Sequence, residues 1–211
     1  EAVNALWETM VPFSAYGFNK SHAAAYGVVS YWTAYLKAHY PAEYMAALLE
    51  SVRDDKDKSA IYLAECRHMG IKVLPPDVNS SQGRFTPVGS DVRFGLGAIR
   101  NVGNNVVGGI LASREDHPPA SDFNEFLDHV PAVVCNKRTI ESIIKAGGFD
   151  RCDLPRKGLL LRMEERIDHI VARRREHDMG VMSLFGSGGD EPTIDEHPVT
   201  DVEFDKAERL S

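Results

Sequence analysis

The chain has 211 residues, 43% hydrophobic and 26% charged, with a net charge of −7 at neutral pH. This is ordinary globular composition with room for one large or two small domains, and its acidic balance excludes a protein that coats nucleic acid through bulk charge. No apolar run is long enough to span a bilayer. The three well-separated cysteines, Cys66, Cys135 and Cys152, have no CxxC spacing, which argues against zinc and a disulfide framework and for reduced thiols in a cytoplasmic setting.

Residues 1 to about 72 read as helical, and the entry at Glu1 directly into helix-like sequence reads as a piece of a longer protein. Ser21 precedes an alanine run and is placed to N-cap a helix from Ala23 to about Tyr40, which Pro41 stops. A helix start carries unpaired donors and partial positive charge. With Asn19, Lys20, Ser21 and His22 gathered there, it suits a phosphate. The same pattern also fits a capped surface helix with a solvated lysine. Leu48-Leu49 and the charged run Asp54-Asp55-Lys56-Asp57-Lys58 read as an exposed connection, followed by a short helix through Ile61, Leu63, Ala64 and Cys66 that Gly70 closes.

Ile71 to Leu74 reads as an extended segment before Pro75-Pro76. Arg84-Phe85-Thr86 and Val92-Arg93-Phe94 flank Gly89-Ser90-Asp91 and predict a small β-hairpin. Leu96 to Leu111 reads as helix, tight hairpin, helix. Val102 plugs the turn, and Val106, Val107, Ile110 and Leu111 form the next apolar stripe. The first turn position holds Asn101, which tolerates the left-handed conformation. A degenerate second copy follows. In it, Phe123, Phe126, Leu127 and Val130 end at Pro131, then Asn136-Lys137-Arg138 opens a helix with the stripe Ile140, Ile143, Ile144 that closes at Gly147-Gly148. Both copies fit hairpins that bind a nucleic-acid backbone or that only pack. Residues 155–178 read as one amphipathic helix with Pro155 at its start and the basic cluster Arg173-Arg174-Arg175, a solvated helix end or a phosphate contact, near its finish. The polar, glycine-containing tail that follows carries one apolar pentamer, Val181-Met182-Ser183-Leu184-Phe185, of the kind that docks into a partner groove or folds back on the helix.

The residues Tyr16 to Leu49, with Lys37-Ala38-His39-Tyr40-Pro41-Ala42-Glu43-Tyr44-Met45-Ala46-Ala47, resemble the fingers domain of the polymerase III alpha (C) family of bacterial replicative DNA polymerases. Leu96–Leu111 resembles a helix-hairpin-helix motif, Ala146-Gly147-Gly148-Phe149-Asp150 the family's usual ending of that region, and residues 181–185 its internal sliding-clamp motif, with Val181 in place of the usual glutamine. The resemblance implies a DNA-directed DNA polymerase as the parent protein, with primer-template DNA, a deoxynucleoside triphosphate, the sliding clamp and other replisome subunits as partners. It implies that Asn19, Lys20, Ser21 and His22 contact the nucleotide. By the same resemblance Arg100, Asn101, Val102, Gly103, Asn104, Lys137 and Arg138 contact the DNA backbone, and Val181, Met182, Ser183, Leu184 and Phe185 the clamp.

The expected fold is mostly α: a helical fingers segment (1–74), a tandem helix-hairpin-helix region with a small β-hairpin (75–154), a connecting helix (155–179), and a clamp motif with a flexible tail (180–211). No catalytic or metal-binding residues are expected in this stretch. Asp54, Asp55 and Asp57 lie in a charged run without an apolar frame, so the magnesium ions the parent enzyme needs have no ligands here, and the chain alone is expected not to polymerise. The alternative reading is a sequence-independent DNA-backbone-binding module of a repair or recombination protein.

Overall fold

A computed structural model describes residues 2–14, 19–152, 155–178 and 202–205. The described chain is mostly helical. Helices α1 (Ala2–Ser14) and α2 (Lys20–His39) come first, then α3 (Pro41–Ser51) and α4 (Lys56–His68). Strands β1 (Val73–Leu74), β2 (Thr86–Val88) and β3 (Asp91–Arg93) follow, and then α5 (Asn104–Asp116), α6 (Phe123–His129), α7 (Lys137–Ala146) and α8 (Arg156–Asp178).

Helix α2 starts earlier than its alanine run suggests. Asn19, not Ser21, is the N-cap, its side-chain oxygen accepting the His22 N–H at 3.0 Å. Pro41 ends α2 as expected, and it also opens α3, where its missing N–H costs nothing. Leu48 and Leu49 are not an exposed connection. They lie inside α3, whose face Ala42, Met45, Ala46 and Leu49 is buried at i, i+3, i+4, i+7 spacing. The turn proper is residues 52–55, and Asp55 caps α4 by accepting the Lys58 N–H. Gly70, at φ 75°, closes that helix.

A two-stranded hairpin is marginal by itself. Here β1 adds to it in parallel, giving the order β1-β3-β2, with Val73 opposite Val92 and Thr86 opposite Arg93. Phe85 and Val92 then pack with Met45, Leu49, Cys66 and Ile71 in a first core. A larger second core is built by α5–α8 around Ile110, Phe123, Leu127, Ile140, Ile143, Leu159, Met163 and Ile167. Phe149 stands edge-on to both Phe123 and Phe126, with ring centroids 5.1 and 5.0 Å apart, the arrangement aromatic pairs prefer. Phe94 touches both cores.

The first helix of the first hairpin is only a 3-10 turn, Leu96–Ala98. Its N–H groups are taken by a distant loop: Leu96 donates to the Gln82 carbonyl at 2.8 Å and Gly97 to that of Gly83 at 2.9 Å. The backbones are so close that a Cβ at Gly95 would lie 2.4 Å from Arg84. The second copy is as expected, with Asn136 capping α7 and Gly147 closing it at φ 89°. Pro155 immediately precedes α8, which packs on α6 and α7.

The three cysteines are not joined by disulfides. Among the described residues, no helix is long and apolar enough to cross a membrane.

Candidate nucleic-acid interface

The hairpin between the 3-10 turn and α5 is held by both of its ends. Val102 is buried and plugs the second core. Asn101 takes a left-handed φ of 66°, alone among the described non-glycine residues, which lets the chain turn without a glycine. Its side chain donates to the Ser142 hydroxyl at 3.0 Å, and its carbonyl accepts the Thr139 hydroxyl at 3.1 Å. The first hairpin is thus stapled to α7, the second helix of the second copy. Neither Thr139 nor Ser142 stood out in the sequence. The available signal was two hydroxyls three residues apart on a helix otherwise striped with isoleucine.

Beyond the turn the chain opens α5 without a side-chain cap. Gly103 is the N-cap residue in an extended conformation. The N–H groups of Asn104, Asn105 and Val106 have no intrahelical acceptor, and Gly103, Asn104 and Asn105 are exposed. A Cβ on Gly103 would meet nothing within 4 Å, so this edge is open to an approaching backbone. Donors in a row at the positive end of a helix are the chemistry that binds a phosphate oxygen.

A groove of about 860 Å³ lies between the hairpin and α7. Arg100 and Asn101 line it from the hairpin, and Arg138, Glu141, Ser142 and Lys145 from α7. Arg156 and Phe204 complete its wall. Two of its four cations are committed within the chain. Lys145 pairs with Glu141 at 2.7 Å, and Arg156 grips Asp150 with two nitrogens, at 2.8 and 2.6 Å. The Asp150 hydrogen bonds hold the Arg156 guanidinium above its ordinary pKa. Arg100 and Arg138 are exposed, and among the described residues neither has a carboxylate partner. The groove is locally positive on a chain that is acidic overall.

The structure separates Lys137 from Arg138. The Lys137 ammonium bonds Asp168 of α8 at 2.8 Å and lies 3.6 Å from Glu164. The Asp168 hydrogen bond pushes its pKa up. Of the basic cluster at the end of α8, Arg175 is exposed, whereas Arg173 and Arg174 bond within the chain. Arg174 donates to the Leu127 and Asp128 carbonyls at 2.5 and 2.9 Å, and Arg173 bonds the Asp128 carboxylate. Both close the C-terminus of α6, where carbonyls lack partners and cations are favoured.

Asn19, Lys20, Ser21 and His22 all lie exposed at the start of α2, a helix with no buried residue. Asn19 spends its side-chain oxygen on the cap, and the His22 ring lies tilted against that of Tyr26, with centroids 4.4 Å apart. The pentamer Val181, Met182, Ser183, Leu184 and Phe185 lies outside the described residues. Among the described residues, no group of three or more His, Cys, Asp or Glu is placed to hold a metal ion.

Comparison with known proteins agrees with this geometry. Residues 70–159 match the helix-hairpin-helix motif family. The chain is 56% identical over 189 residues to the DNA polymerase III subunit alpha of Mycobacterium tuberculosis, and 57% identical over 190 residues to that of Saccharopolyspora erythraea. Each match covers 90% of this chain and 16% of the relative. The subunit of the same name from Thermus aquaticus is 43% identical over 202 residues, 96% of this chain and again 16% of the relative. The chain therefore spans about a sixth of the length of these relatives. With this identity held along nine-tenths of its length, the chain is homologous to one segment of the DNA polymerase III alpha subunits, a segment that carries a helix-hairpin-helix motif.

Proposed function

We propose that this chain grips duplex DNA by its phosphate backbone, without reading sequence, as part of a DNA-directed DNA polymerase. One observation carries the reading. Arg100 and Arg138, exposed and without a carboxylate partner among the described residues, line one groove, and the uncapped start of α5 at Gly103 follows Arg100 by only three residues. Backbone amides and arginines facing phosphates fix position and register and carry no sequence information. The net charge of −7 is no obstacle, since the attraction is local.

In the parent polymerase the start of α2, with Asn19, Lys20, Ser21 and His22, meets the incoming nucleotide, and residues 181–185 tether the enzyme to its sliding clamp. Both readings rest on the resemblance in sequence. Lys20→Ala in the full polymerase is expected to raise KM for nucleotide while duplex binding is unchanged. Phe185→Ala is expected to abolish clamp binding alone. The magnesium ligands belong to other parts of that polymerase, so the isolated chain is expected to incorporate no nucleotide, and incorporation by pure chain would overturn this assignment.

The direct test is binding to random-sequence and fixed-sequence duplexes across a salt series. The expected slope of log K against log salt is about −0.9 for each phosphate contacted, with no preference among sequences. No binding at low salt would make the hairpins purely structural.

A further inference from the structure

We propose that the segment Val202–Asp205 is an intramolecular lid on the groove beside the hairpin, displaced when a nucleic-acid backbone enters. This rests on the reading of that groove as a backbone site and assigns its regulation.

Phe204 forms part of the groove wall together with Arg100 and Arg138, although it lies 66 residues beyond Arg138 in the chain. Two contacts seat it. The Glu203 carboxylate accepts the backbone N–H of Arg156 at 3.1 Å. Arg156 is the first residue of α8, so this N–H has no intrahelical acceptor and sits at the positive end of the helix. The Lys157 ammonium lies over the Phe204 ring, 5.3 Å from its centroid, within cation–π range.

These are the contacts a nucleic acid also offers. The Glu203 carboxylate occupies a helix start that would otherwise attract a phosphate oxygen. The Phe204 ring walls one side of the groove and narrows the approach of a sugar or base edge to Arg100 and Arg138. The described segment carries two carboxylates, Glu203 and Asp205, and no Lys or Arg. A phosphate drawn to Arg100 and Arg138 therefore meets like charge while the lid is shut. A single half-buried carboxylate contact and one cation–π contact are individually weak, so the lid yields to a backbone that makes several contacts together. The free chain holds one side of its groove occupied, and apparent affinity scales with the fraction of time the lid is open.

Two readouts test this on the 211-residue chain: anisotropy of a labelled random-sequence duplex at low salt, and the NMR shift of the Lys157 ε-methylene protons, which the Phe204 ring shields. The expected results are binding roughly threefold tighter for the E203Q/F204A double variant than for the unaltered chain, and loss of the Lys157 ring shift in the unaltered chain with the same DNA midpoint as the anisotropy. DNA binding with equal affinity in both proteins and an unmoved Lys157 signal overturns the lid and leaves the backbone site standing. No binding by either protein overturns the backbone site, and the lid with it.

Discussion

The side-chain amide of Asn101 donates to the hydroxyl of Ser142 at 3.0 Å, joining the hairpin of one helix-hairpin-helix copy to the second helix of the other. The same residue makes the turn, at φ 66°. Turn and staple are therefore separable by substitution. Asn101→Gly keeps the turn and loses the side-chain bond to Ser142; Asn101→Ala loses that bond and strains the turn, while the backbone carbonyl that accepts the Thr139 hydroxyl is present in both. Placing alanine in the left-handed region costs about 1–2 kcal/mol. Urea unfolding is expected to show the alanine variant less stable than the glycine variant by about that amount. Equal stabilities would mean the turn relaxes.

Gly108 and Gly109, adjacent on α5, are expected to respond with opposite sign. A Cβ on Gly108 meets nothing within 4 Å, whereas one on Gly109 would lie 2.9 Å from both the Pro131 ring and a Val134 methyl. Gly108→Ala is expected to stabilise by about 0.5–1 kcal/mol through helix propensity. Gly109→Ala is expected to destabilise by about 1–3 kcal/mol through overpacking. Thermal unfolding of the two variants settles both.

Arg174 and Arg175 are sequence neighbours with unequal roles. Removing the Arg174 side chain strips two carbonyls at the end of α6 of their donor, a loss of about 1–3 kcal/mol. Arg175 is exposed, and Arg175→Ala is expected to stay within about 0.5 kcal/mol. Chemical denaturation of the two alanine variants should separate them clearly.

Asp77 makes stability depend on acid pH. Burial pushes its carboxyl pKa up, but hydrogen bonds from the Ser80 hydroxyl, the Asn79 N–H and Arg151 outweigh burial and hold it below the ordinary aspartate value. A carboxyl depressed in the folded state binds its proton more tightly when unfolded. Its stabilisation is thus present in full above the unfolded pKa of about 3.9 and is lost as pH falls through the folded value. Unfolding free energy measured from pH 7 downward is expected to fall below about pH 4 more steeply in the unaltered chain than in Asp77→Asn. Parallel curves would remove Asp77 from the account.

What was legible in the sequence was written in local chemistry. Gly70 and Gly147 ended their helices because a left-handed closing residue is a one-residue signal, and Asn101 was readable as a turn former for the same reason. Val102 as plug and the stripe Val106, Val107, Ile110 followed from spacing. What was not legible depends on partners far along the chain. The 3-10 turn at Leu96–Ala98 is anchored at its start by the carbonyls of residues 82 and 83, which accept the Leu96 and Gly97 N–H groups. Arg173 and Arg174 close a helix some 45 residues earlier. At the start of α2, Asn19 and Ser21 are both competent caps, and only the bond from the His22 N–H to Asn19 decides between them. Of the expected backbone contacts, Arg138 is turned into the groove while its neighbour Lys137 is tied to α8, a division that the pair Lys137-Arg138 does not announce.

Arg100 and Arg138 are the two exposed cations of the groove that have no carboxylate partner among the described residues. Duplex affinity should be measured across a salt series for the unaltered chain, for Arg100→Ala/Arg138→Ala, and for Arg175→Ala. The double variant is expected to bind about tenfold or more weakly at low salt, with a salt slope shallower by about two, because two phosphate contacts and their released counterions are gone. Arg175→Ala is expected to match the unaltered chain. A double variant that binds with unchanged affinity and unchanged slope would contradict the assignment of this groove as the DNA-binding surface.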